Sequence, residues 1–147
     1  MTSRFQPPPI IKAAERVALE IEQAVRRFSR YHRYQIGSDL RQRAITVFLN
    51  ANNAWREKAH QAQWVGVLVR DIDALKQLLQ LAKLVGAFTS FRQFEMLIRL
   101  AEGLGAQAGG WRRRLSGSPN AQNAQASGVA QRGQKLSTRT APAGVNP

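Results

Sequence analysis

Four stretches of this chain repeat apolar residues at every third or fourth position, the period of an amphipathic helix. The first puts Ile10, Ala14, Val17, Ile21, Ala24 and Phe28 on one stripe, widened by Ala18 and Val25. Its opposite face carries Glu15, Glu22 and Arg26, and Glu22 precedes Arg26 by four residues, the favourable order for an exposed pair. The pattern predicts a helix over residues 10–30, opened by the run Pro7-Pro8-Pro9. A second stripe joins Leu40, Ala44, Val47, Phe48, Ala51 and Trp55, with Ile45, Leu49 and Asn52 beside it. Gly37 reads as the stop of the first helix and Ser38 as the N-cap of the second, with Asp39 in its first turn and its end near Ala59.

The third stretch, residues 63–85, sets Val65, Leu68, Ile72, Leu75, Leu79 and Ala82 on one line and Leu78, Leu81 and Val85 on a second, with Gly86 as its stop. The fourth starts at Thr89 or Ser90 as cap. Phe91, Phe94, Ile98 and Ala101 face the core there, broadened by Leu97, Leu104, Ala108 and Trp111. Gly103, Gly105, Gly109 and Gly110 lower helix propensity and predict fraying or a kink before Trp111. No segment alternates as a strand does, and no internal repeat stands out. The expected fold is all-α: an antiparallel, up-down four-helix bundle over residues 10–115, with an extended lead-in at 1–9. From 116 to 147 the chain is rich in Ser, Ala, Gln, Asn, Gly and Pro, and Arg132, Lys135 and Arg139 are its charges, which predicts a disordered basic tail.

Composition changes the picture through charge. The 147 residues hold 22 Lys and Arg against 9 Asp and Glu, a net charge of +13. Such an imbalance attracts polyanions: nucleic acid first, an anionic membrane or an acidic protein second. The absence of cysteine removes disulfides, thiolate catalysis and cysteine-based zinc sites. The first nine residues lack the apolar centre of a signal peptide, and no apolar run is as long as a membrane span. A cytoplasmic protein with no membrane partner is expected.

Catalytic chemistry is sparse. His32 and His60 are far apart and have no carboxylate or second histidine at ligand spacing, so neither metal nor cofactor is expected. The glycines at 103–110 lack the strand and lysine of a phosphate loop, and Ser29, Ser38 and Ser90 lack a nucleophile's context. Asp71 and Asp73 are two apart, hence on different sides of a helix, and read as surface charges. No enzymatic activity is expected.

Basic residues remain. Arg26, Arg27, Arg30, Arg33, Arg41 and Arg43 crowd the first connection, interleaved with Tyr31, His32 and Tyr34. Guanidinium groups fork onto phosphates and aromatic rings stack on unpaired bases, which makes this corner the first candidate nucleic-acid surface. The plainer reading is a solvated corner with Tyr34 and Ile36 closing the end of the core. Trp111-Arg112-Arg113-Arg114 forms a second basic cluster, which also suits a helix C-terminus. Asn50, Asn52 and Asn53 interrupt the second stripe, so at least one needs a partner near a buried face.

Several of these segments resemble a known family. The run Phe28-Ser29-Arg30-Tyr31-His32-Arg33-Tyr34-Gln35-Ile36-Gly37, then Leu40-Arg41 and Ala51-Asn52, is similar to small four-helix-bundle proteins of bacteria. That superfamily includes the accessory variability determinants of diversity-generating retroelements and the proteins encoded in intervening sequences of 23S ribosomal RNA genes. Phe88-Thr89-Ser90-Phe91-Arg92-Gln93-Phe94-Glu95, Leu104-Gly105 and Gly109-Gly110-Trp111 resemble the closing helix of the first branch. Ser29 stands where that pattern leads one to expect proline. The resemblance spans about residues 10–115. It implies a homopentameric basic barrel that is not itself a polymerase. Its implied partners are a reverse transcriptase and its template RNA, or an RNA–DNA hybrid, in mutagenic cDNA synthesis. The alternatives are the ribosomal intervening-sequence branch and a structural bundle that docks an acidic protein.

Overall fold

The computed structural model describes residues 6–117, and these are helical with no strand among them. The chain divides into two compact units, Met1–Arg112 and Arg113–Pro147. Of the expected lead-in, residues 1–5 lie outside the described residues, as does the expected tail from residue 118.

The helices are α1 (Pro9–Arg26), the short α2 (Arg30–Tyr34), α3 (Ile36–Arg56), α4 (Gln61–Leu84) and α5 (Phe91–Ser116). Pro9 takes the first helical position of α1, where its missing N–H costs nothing. The predicted stripes become one core. Val17 and Ile21 of α1, Leu40 and Val47 of α3, Leu68, Ile72 and Leu75 of α4, and Leu97 and Leu104 of α5 are buried together. Each such side chain contributes roughly 1.5–3 kcal/mol by leaving water. Between α3 and α4, Arg43 reaches Asp71, Gln61 reaches the carbonyl of Ala54, and Trp64 reaches Glu57, so the two helices run in opposite senses.

The first connection differs from its sequence reading. α1 stops at Arg26, and Ser29 caps α2 by accepting a hydrogen bond from the His32 N–H at 3.4 Å. The residue where proline was expected thus acts as a helix cap. α3 begins at Ile36, so Gly37 lies inside its first turn and neither stops a helix nor precedes a cap. Its role is steric. A Cβ at position 37 would stand 2.8 Å from Val25 Cγ1, 3.0 Å from the His32 carbonyl oxygen and 3.3 Å from Phe28 Cδ2. Ile36 packs against the core as expected, whereas Tyr34 is exposed and closes nothing.

The other ends follow more familiar rules. α3 ends at Arg56, short of Ala59, and a single 3₁₀ turn, Lys58–His60, leads into α4. Gly86, with φ of 79°, terminates α4: its N–H donates to Lys83 O at 3.0 Å, and Ala87 N–H donates to Ala82 O at 2.9 Å, a Schellman cap. Ser90 Oγ accepts from Gln93 N–H at 3.2 Å at the start of α5. α5 does not break at its glycines, because its apolar face, Leu97, Ala101, Leu104 and Ala108, stays buried throughout. Phe91 is a correction. It is 63% exposed, and its ring lies against Phe94, which is the buried member of the pair. Phe28, Phe88 and Phe94 form an edge-to-face series at this end of the core.

Two glycines give opposite expectations. Gly37→Ala lowers stability by roughly 1–3 kcal/mol, because the added methyl group forces Val25 and the backbone apart. Gly66→Ala, mid-helix with no atom near its Cβ position, raises stability by up to about 1 kcal/mol. Urea unfolding followed by circular dichroism measures both, and equal signs would refute this account of the corner.

Candidate nucleic-acid interface

The corner arginines divide into those that hold the fold and those that do not. Arg41 forks onto Glu22 across α3 and α1, with Nε 2.7 Å from Oε1 and an NH2 contact of 3.1 Å to Oε2. Arg26 reaches the same carboxylate from its own helix at 3.2 Å, the pair the sequence predicts. Hydrogen bonding from Arg41 lowers the Glu22 pKa below the ordinary glutamate value; burial opposes this, and Arg26 adds a smaller lowering of its own. One carboxylate therefore anchors two guanidiniums.

Arg43 bonds Asp71 at 3.1 Å, and the amide of Asn50 donates to the other oxygen of the same carboxylate. Asn53 in turn donates to Asn50 Oδ1 at 3.4 Å. Asp71 is therefore no free surface charge. Its side chain is 14% exposed and joins α4 to α3, while Asp73 pairs with Lys76 on the outside. Asn50 is the buried-face amide that the stripe required. Arg33 is half-buried and donates to Phe28 O at 3.3 Å, and its Nε is buried without a hydrogen-bond partner among the described residues.

Arg27 and Arg30 remain exposed, with no carboxylate partner among the described residues. Arg27 caps the C-terminus of α1 and Arg30 opens α2. Tyr31 stacks edge-on with His32, ring centroids 5.3 Å apart, and stays exposed. Arg112 is exposed near the end of α5. Arg113 and Arg114, exposed in the last turn of the helix, belong to the second unit. Successive helical residues are turned about 100° apart, so these three do not form one stripe.

Sequence reasoning missed Arg92. A groove of about 360 Å³ runs between α1 and the first turns of α5, and Arg27 and Arg92 both line it with Gln23, Ala24, Gln93 and Met96. Arg92 makes no ion pair among the described residues. Antiparallel topology was the available signal, because it brings the end of the first helix and the start of the last to the same end.

A second surface is apolar. Ile45 and Leu49 of α3 are about half exposed, and so are Leu81 and Val85 near the end of α4. Along α4, Ala74, Leu78, Leu81 and Val85 are separated by steps of four, three and four, the spacing of a seam that packs against another helix. No group of three or more His, Cys, Asp or Glu that could hold a metal occurs among the described residues, and no described helix is long and apolar enough to cross a membrane. No protein-family model, curated protein or solved structure matches the chain.

Glu22 gives this surface a pH dependence. Its folded pKa is depressed, so its stabilisation is complete above the unfolded value of about 4 and is lost as pH falls through the lower folded value. Glu22→Gln should lower stability at pH 7 and flatten the acid limb of the stability profile below about pH 4. Thermal unfolding of both proteins across that range checks this, and parallel profiles would refute it.

Proposed function

We propose that this chain is a non-catalytic, nucleic-acid-binding accessory subunit acting in the cytoplasm: an up-down four-helix bundle that assembles into a homo-oligomer, first choice a pentamer. Its partners in this reading are a reverse transcriptase and that enzyme's template RNA, as the resemblance to accessory variability determinants implies. The observation that carries the nucleic-acid part is the excess of unpaired cations. Among the described residues, Glu20, Glu22, Asp71, Asp73 and Glu95 are taken up by ion pairs, yet Arg27, Arg30 and Arg92 stay exposed with no ion pair at one end of the bundle. Such a surface neutralises phosphates and releases their counterions. It positions a strand without selecting its bases, so a structured RNA or the reverse transcriptase supplies the selectivity.

The exposed aliphatic residues of α3 and of α4 support the oligomeric part, because such residues gain by burial against a second copy. An oligomer repeats each basic end around its axis and adds avidity. The net charge of +13 also suits a second reading, a structural bundle that docks an acidic protein.

Two measurements decide between them. Arg30→Gln combined with Arg113→Gln and Arg114→Gln should weaken RNA binding and reduce the slope of log affinity against log salt by roughly 2, at about 0.7 for each lost contact to a single strand. Unchanged affinity and slope would reject the basic surface, and loss of reverse-transcriptase capture with intact RNA binding would favour protein docking. Light scattering at micromolar concentration should give a multiple of the 16.4 kDa chain mass, and Leu49→Glu with Leu81→Glu should return it to one chain. A monomeric wild type would refute the assembly.

A further inference from the structure

The groove between α1 and α5 has features that a purely phosphate-tracking surface does not need. Its floor is apolar, formed by Ala24 and the half-buried Met96. Arg27, Arg92, Gln23 and Gln93 also line the groove. Gln23 makes no side-chain hydrogen bond among the described residues. Gln93 accepts from Thr89 Oγ1 at 3.4 Å, which leaves its amide nitrogen to donate. Glu20, 3.8 Å from Arg16, adds a carboxylate acceptor to the lining. At about 360 Å³ the groove has the size of a small-ligand site.

These groups match the parts of one nucleotide. A base has a flat apolar face, which the Ala24–Met96 floor accommodates, and thioethers pack well on aromatic rings. A base edge presents donors and acceptors side by side, and a glutamine amide offers both in the same plane. The phosphates on either side match the two arginines, whose spacing across the groove follows from their different helices. In a duplex the base faces are stacked and the pairing edges occupied, so such a groove can take a base from an unpaired strand alone.

We propose that this groove is a subsite for one unpaired nucleotide of single-stranded RNA or DNA. The base lies on Met96 and Ala24, its edge is met by Gln23 and Gln93, and the flanking phosphates are held by Arg27 and Arg92. The proposal rests on the nucleic-acid reading above and adds to it a base contact and a preference for single strands.

The test uses the full chain and three fluorescent probes of one sequence: an unstructured RNA strand, the matching DNA strand and the RNA duplex. Affinity is measured by anisotropy over a salt series, with helix content checked by circular dichroism for every variant. Single strands should bind more tightly than the duplex. Gln23→Ala with Met96→Gln, which leaves the charge unchanged, should weaken single-strand binding by roughly two- to tenfold, the range of one thioether–ring contact, and leave duplex binding alone. Arg27→Gln with Arg92→Gln should reduce the single-strand salt slope by about 1.4. Equal wild-type affinity for strand and duplex, or equal losses on both from the uncharged pair, would overturn the subsite while leaving the phosphate surface standing. Absence of binding to all three probes would overturn both. The ratio of RNA to DNA affinity shows which strand the subsite serves.

Discussion

At position 37 the backbone of α3 comes so close to α1 and α2 that a methyl group has no room. Much of the molecule depends on that approach. It sets the rotation of α3 about its axis, and with it the burial of Leu40, Ala44 and Val47. The same rotation carries Arg41 to the α1 side, where Glu22 waits, and Arg43 to the α4 side, where Asp71 does. A bulkier residue would have to shift Val25 and Phe28, the latter being the first ring in the aromatic series that ends the core.

Charge is distributed along the same lines. Carboxylates are few, and those at the helix contacts face arginines on neighbouring helices. Arg41 is partly shielded, at 30% exposure, and its bidentate geometry is the strong form of the interaction. Exposed pairs such as Arg99 with Glu95 contribute far less to stability. Arg27, Arg30 and Arg92 make no ion pair among the described residues and lie where α1 ends and α5 begins, while Arg56 and Arg70 are likewise exposed on α3 and α4.

The helices were legible because their apolar faces repeat over many turns. Their core positions on α3 and α4 follow the stripes closely, and the cap at Gly86 was readable as a glycine after the last periodic residue. The corner was not. A glycine that permits close contact looks in sequence like a glycine that ends a helix, and the neighbour that decides the matter, Val25, is twelve residues away. Phe91 was misplaced because a helix's first turn can carry an apolar residue past the edge of the core. Asp71 looked like a surface acid because its partners, Arg43 and Asn50, lie on another helix. The basic cluster was legible as composition, but its division into structural and free arginines was not, since that depends on which acid each one meets. Arg92 went unnoticed for the converse reason: alone in sequence, it joins Arg27 only in space.

The shared carboxylate of Glu22 has a consequence for how such chains can diverge. Positions 22, 26 and 41 form one electrostatic unit spread over two helices, so a change at 22 strands two cations and a change at 41 leaves an acid with a weaker companion. Drift at these sites must be concerted or be selected against for folding. Arg27, Arg30 and Arg92 carry no such debt to the core, and their identity is free to track whatever lies against the surface. Comparison of diverged sequences would then sort the arginines of this corner by the company in which they vary, co-varying for architecture and independently for recognition.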